Sequence, residues 1–96
     1  MDDASFEWDD ANIAHVADHD VTPEEAEQTL VNDPLELGFD AGPGGEERWA
    51  YLGETDEGRI LQVVITVRGD RIRVVTAFEP VRRLKVLYLE LKAEQK

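Results

Sequence analysis

The second half of the chain carries three runs dense in aromatic and β-branched residues, "RWAYLGE" at 48–54, "RILQVVITV" at 59–67 and "RIRVVTAFE" at 71–79. Such side chains fit a pleated, half-buried surface, and short glycine-bearing links between them make hairpins. Three consecutive strands joined by short links pair antiparallel, so the segments before and after must cover the resulting sheet. The Gly53 to Gly58 stretch reads as the first hairpin loop, and Arg68-Gly69-Asp70 as the second turn. A tight turn between β-rich runs accounts for that tripeptide better than integrin-type adhesion does.

Helical signals flank the strands. Phe6 and Trp8 alternate with Glu7 as in a short half-buried strand, and Asp9 or Asp10 can cap a helix beginning near Ala11. In that helix Ile13, Val16 and Ala17 are expected to share the apolar face. Thr22-Pro23-Glu24-Glu25 is a strong start signal: a Thr cap, Pro at the first helical position and Glu three residues after the cap. Ala26, Leu30 and Val31 supply the buried side, and Asp33-Pro34 stops the helix because the residue before proline resists the α conformation. Residues 40–47, "DAGPGGEE", read as a loop. Pro80 fits the first turn of a last helix, in which Val81, Leu84, Leu87 or Tyr88, and Leu91 make an apolar stripe, and Arg82, Arg83, Lys85 and Lys92 take the rest. The expected order is β-α-α-β-β-β-α, with room for a further short strand at Leu35 to Phe39. This is an α+β domain, an antiparallel sheet packed against helices, and 96 residues allow one such unit spanning 1–96.

Charge divides the chain in two. Residues 1–47 hold 15 Asp and Glu without any Lys or Arg, so the halves carry −15 and +3 of a net −12. Acidic surface opposes nucleic acid, whose affinity comes largely from phosphate contacts. Net charge also serves solubility in a high-salt cytoplasm, and at molar salt the Debye length is roughly 3 Å, which leaves a local arginine cluster free to bind an anion. Seven Arg against three Lys suit the halophilic reading, and both readings stay open. With no cysteine, disulfide scaffolds and thiolate metal sites are excluded. No run is long and apolar enough for a signal peptide or a membrane span, so the expectation is a cytoplasmic protein without a membrane role.

His15 and His19 stand four apart, the spacing of one helical face. A zinc site wants three or four ligands, and the zincin pattern needs Glu where Val16 stands, so no metal or other cofactor is expected. Plain helix surface is one remaining reading. The other is an arginine-histidine site, because alternation puts Arg71, Arg73, Val75, Ala77 and Glu79 on one face of the last strand while Arg48 and Arg59 open the two before it. An imidazole shuttles protons near neutrality, and guanidiniums bind phosphate and stabilise developing charge, a combination suited to phosphodiester chemistry. Salt bridges from these arginines to the acidic half are the competing role.

Taken in order, Phe6-Glu7-Trp8-Asp9, "HDV" at 19–21, "TPEEAEQTLVNDP", "ERWAYLG", "GRILQVV", "RGDRIRVVTA" and the Arg82-Arg83 of a basic last helix resemble the BrnT-like toxin family of type II toxin-antitoxin systems. The resemblance implies a RelE-like fold, a ribonuclease that acts on cellular RNA and stops translation, and an antitoxin partner with a DNA-binding part; a homodimer is compatible with it. By position it carries over the imidazole of His19 and the guanidiniums of Arg48, Arg59 and Arg73. To these the ribonuclease reading itself adds Glu79 as a second group for proton transfer and Arg71, Arg82 and Arg83 as RNA contacts. The chain departs from the family at three places. Asp20 replaces a glycine, which Asp tolerates in a left-handed cap better than most residues do. Asp18 stands where a basic residue is usual, and Phe78 where an arginine is common. The alternative is therefore a catalytically attenuated member that keeps the fold and binds an antitoxin as an interaction module.

Overall fold

The computed structural model describes residues 5–95. Local capping sets the helices. In α1 (Asp10–Ala17) Asp9 accepts the N–H groups of Ala11 and Asn12 at 3.0 and 3.1 Å. In α2 (Pro23–Val31) the Thr22 hydroxyl accepts from the Glu25 N–H at 3.1 Å, while the Glu25 carboxylate accepts from the Thr22 N–H at 3.0 Å. This is the reciprocal box the sequence spells out, and it satisfies donors that would otherwise have no helical partner.

Five strands form one sheet in the order β1-β5-β4-β3-β2, with β1 (Ser5–Glu7), β2 (Leu35–Ala41), β3 (Glu47–Glu54), β4 (Ile60–Arg68) and β5 (Arg71–Phe78). The β2-β3-β4-β5 meander is antiparallel, and the strand at Leu35 is realised. The sheet as a whole is mixed, a correction to the antiparallel expectation: β1 runs parallel to β5, Phe6 opposite Ile72. A crossover through both helices and three strands brings β1 to that edge, and nothing local to β1 encodes its partner. Helix α3 (Arg82–Glu94) closes the chain.

Val16, Val21, Ala26 and Leu30 pack on Leu61, Val63, Ile65, Val74 and Ala77 to make the core between α1, α2 and one face of the sheet. A side chain the size of Leu30 contributes about 2 kcal/mol by such burial. Gly53 lets α2 approach β3, since a Cβ there would lie 2.8 Å from the Thr29 carbonyl oxygen. On the opposite face Leu52 and, from α3, Tyr88 are buried, and the Tyr88 hydroxyl donates to Glu54 at 3.1 Å.

Two expectations about faces change. First, α1 turns Asn12 and Val16 inward and leaves Ile13 40% exposed and Ala17 at the surface. The Asn12 amide donates to the carbonyls of Glu7 and Val74, both at 3.0 Å, and its oxygen accepts the Asp9 N–H at 2.7 Å. A polar side chain that meets three backbone groups belongs inside, whatever its hydropathy. Second, Thr76 pairs with Val64 while Val74 pairs with Ile65, so Val75 is a bulged extra residue. The alternation inferred for 71–79 therefore breaks: Ala77 joins Val74 in the core, and Thr76 and Phe78 turn to the face of Arg71 and Arg73.

Asn12→Ala is expected to destabilise the fold by about 2 kcal/mol, because it removes the partner of the buried Val74 bond and of the half-buried Glu7 carbonyl and Asp9 N–H. A urea titration checks this, and a loss below about 1 kcal/mol would show that water replaces the amide.

Candidate functional site

Helix α1 ends at the site. The Val21 N–H bonds back to the Val16 carbonyl at 3.0 Å and the Asp20 N–H to Ala17 at 2.9 Å, with Asp20 left-handed at φ 61°. This is the ending that glycine usually makes, and Asp accepts it. It leaves His19 exposed on the last turn, its ring 5.8 Å from Phe78 and 5.7 Å from His15.

The bulge at Val75 and the pleat of β3 and β4 put Arg48, Arg68, Arg73 and Thr76 on the sheet face away from the core. With His15 from α1 they line one groove of about 520 Å³. Alternating charges run along it. Arg48 pairs with Glu46 at 3.2 Å, Arg68 with Glu46 at 3.6 Å and with Glu7 at 3.4 Å. Arg73 then bonds Glu7 at 3.0 Å and Asp9 at 2.9 Å, with a second contact to Asp9 at 3.2 Å. Arg73 is the most enclosed of the three, its side chain 14% exposed, whereas Arg48 engages Glu46 through Nε alone among the described contacts. The groove thus holds a planar-fork donor in each of three strands, the geometry that matches phosphate oxygens.

Arg59 and Glu79 lie in a separate knot. The Arg59 guanidinium donates to Glu25 at 3.0 Å, to Glu79 at 3.1 Å and to the Asp20 carbonyl at 2.7 Å, and Lys85 reaches Glu79 at 3.0 Å. Lys85 and Arg59 hold the Glu79 carboxyl below the ordinary carboxylate range. Burial would raise Glu25, but the Thr22 N–H and Arg59 outweigh it and lower that carboxyl too. The Asp9 carboxyl is lowered by its bond to Arg73 and by the helix N–H groups it caps.

Of the residues singled out from the sequence, the structure gathers Arg48 and Arg73 in the groove and sets His19 at its helical edge. Arg71 opens β5 and donates to the Phe6 carbonyl at 2.9 Å. Arg82 and Arg83 are exposed in the first turn of α3, on its outer surface. Two groove residues escaped the sequence reading. The family resemblance singles out His19 and not His15, although the spacing of the two is the signal for both; the turn reading of Arg68-Gly69-Asp70 leaves Arg68 out of the site, although its pairing with Arg71 across a hairpin is legible. Among the described residues no group of three or more His, Asp or Glu converges as a metal site would require. No described helix is long and apolar enough to cross a membrane.

Compared with known families, the chain matches the model described as "Ribonuclease toxin, BrnT, of type II toxin-antitoxin system" over residues 8–82. That span runs from Trp8 through α1, the whole meander and the start of α3. No curated protein matches the chain.

The depressed carboxyls make stability acid-sensitive in a defined direction. Their contribution is complete above the ordinary values, 3.8 for Asp and 4.5 for Glu, and is lost as pH falls through their lower folded values. Asp9→Asn keeps the helix cap but removes the charge. Urea midpoints are expected to separate wild type from Asp9→Asn near neutrality, and the gap to shrink as pH falls below ~4 and to close below the lowered folded value of Asp9; a gap unchanged through that acid range would show that it does not come from the Asp9 charge.

Proposed function

The chain belongs to the BrnT ribonuclease-toxin family of type II toxin-antitoxin systems, and on that premise we propose that it is an RNA-cleaving toxin whose chemistry takes place in the arginine groove beside α1. The observation that carries this reading is the convergence of Arg48, Arg68 and Arg73 with His15 on one open cleft, next to the ring of His19. The family implies an RNA substrate and an antitoxin partner. The finer parts of the proposal are an antitoxin that carries a DNA-binding part and a cytoplasmic site of action, where the RNA is.

In the proposed reaction one imidazole of the His15–His19 pair removes the proton of a ribose 2′-hydroxyl. The freed oxygen attacks the adjacent phosphorus, the bond from phosphorus to the 5′ oxygen breaks, and a proton passes to that leaving oxygen. Arg48 and Arg73 bind the phosphodiester and offset the charge that develops on it, with no metal required. Arg59 acts through His19 as a positioning residue: its bond to the Asp20 carbonyl pins the backbone immediately after the imidazole. Glu79, held ionised by two cations, serves to orient Arg59 and not to carry the proton.

A specific observation favours a second, attenuated reading. Arg73 is already bound by two carboxylates, and Phe78 occupies the face beside His19 where relatives place an arginine. A substrate phosphate must then displace Asp9 and Glu7 before it meets Arg73.

The decisive measurement is cleavage of single-stranded RNA by purified protein at low and at molar salt, with growth arrest on expression as its cellular counterpart. Wild type is expected to cleave, and His19→Ala, Arg48→Ala and Arg73→Ala to fall by about 100-fold or more. RNA left intact by wild type under both salt conditions sinks the ribonuclease reading. Activity that appears only in Phe78→Arg establishes the attenuated one.

A further inference from the structure

A second cleft, of about 430 Å³, continues the arginine groove across the sheet toward β2 and shares Arg48, Val75 and Thr76 with it. Beyond those shared residues its character changes. Ala50, Val64 and Leu37 give it an apolar floor and wall, and Gln62 and Asp40 set an amide and a carboxylate on that surface. Leu37 is the extra residue of a bulge, since Glu36 pairs with Tyr51 and Gly38 with Ala50, and the bulge turns the apolar side chain toward the cleft. Gly38 stands opposite Ala50 without a side chain, and a Cβ built on it meets nothing within 4 Å, so this wall is left open. A glycine inside an edge strand often marks close approach by a ligand.

We propose that this cleft is the nucleobase subsite of the groove and selects an unpaired base that carries an exocyclic amino group, that is adenine, cytosine or guanine over uracil. The inference rests on the ribonuclease reading above. A phosphodiester held by Arg48 delivers its own nucleoside to whatever adjoins Arg48, and what adjoins it is a flat apolar floor with two polar groups. Base faces bury against apolar surface while their edges are read by hydrogen bonds, the usual division in single-stranded RNA recognition. Asp40 sets the preference. An ionised carboxylate only accepts, so it rewards the amino group of adenine, cytosine or guanine and opposes the bare carbonyl that uracil presents there. Gln62 both donates and accepts, and it completes the edge without deciding between the amino bases. A protein segment could lie on the same apolar floor, but the cleft's continuity with the three arginines favours the RNA that they hold.

The test measures equilibrium binding of fluorescent oligoadenylate, oligocytidylate and oligouridylate hexamers to wild type, Gly38→Ile, Asp40→Asn and Arg73→Ala, with melting curves for each. Isoleucine suits a strand and has room at position 38, so the fold is expected to hold. Wild type is expected to bind the uridylate about tenfold more weakly than the other two. Asp40→Asn, which can donate to uracil, closes that gap to within about twofold. Gly38→Ile lowers affinity for all three about tenfold at an unchanged melting temperature. The subsite is overturned if wild type binds RNA in an Arg73-dependent manner while Gly38→Ile and Asp40→Asn keep its affinities and base profile; the ribonuclease reading then stands. It is also overturned if Gly38→Ile loses only antitoxin binding. If wild type binds none of the hexamers, the RNA reading fails and takes the subsite with it.

Discussion

One buried amide holds the site together. Asn12 joins the end of β1, the cap of α1 and the middle of β5 by bonding the Glu7 carbonyl, the Asp9 N–H and the Val74 carbonyl. No described buried side-chain nitrogen or oxygen lacks a partner, so this junction is saturated as well as enclosed. Val74 immediately precedes the bulged Val75, and the bulge carries Thr76 and Phe78 onto the arginine face. Without the clamp, neither the edge where α1 presents its histidines nor the phase of β5 beyond Val74 would be defined. The groove is a consequence of how one strand's irregularity is pinned.

The charges inside the groove follow a different logic from the surface around it. An acidic chain that concentrates its arginines on one sheet face would pull in its own carboxylates, and it does: Glu46, Glu7 and Asp9 alternate with Arg48, Arg68 and Arg73. Exposed pairs of this sort are worth little each, of order 0–1 kcal/mol, and salt screens them. The bidentate contact of the enclosed Arg73 with Asp9 is the firmest, because planar fork geometry and a helix cap act on the same carboxylate. High salt would loosen the outer pairs first and free Arg48 and Arg68 before Arg73.

What the chain discloses by itself divides along a physical line. The box at Thr22 and Glu25, the cap at Asp9, the meander and the stop at Pro34 are decided by residues adjacent in sequence, and they read correctly. The inward turn of Asn12 does not, because hydropathy ranks it as surface and only distant carbonyls make it core. The bulge at Val75 is equally silent: a one-residue slip in a strand with period two leaves the residue types unchanged and reverses their faces. Unbroken alternation puts Ala77 with the arginines and Thr76 and Phe78 opposite them, and the bulge exchanges these faces. The parallel pairing of β1 is the most distant case, since Phe6 and Ile72 lie on either side of nearly the whole fold. Residue type alone suits the arginines to phosphate chemistry, but their partition into groove and knot is set by the tertiary fold.

That partition gives Arg59 a role a spacing argument could not supply. Its guanidinium spans the Glu25 carboxylate in the first turn of α2, the Glu79 carboxylate after β5 and the Asp20 carbonyl in the turn between the helices. Asp20 is left-handed without being glycine, a conformation that costs of order 1–2 kcal/mol for most residues and less for Asp. A charged donor on its carbonyl offsets part of that cost. The left-handed Asp20 and the Arg59 guanidinium are therefore one arrangement: the cation secures a turn that glycine would make freely, and the turn orients the imidazole before it. The orientation of His19 therefore rests on the knot around Arg59, whereas the Phe78 ring, 5.8 Å from the imidazole, belongs to no contact of that knot.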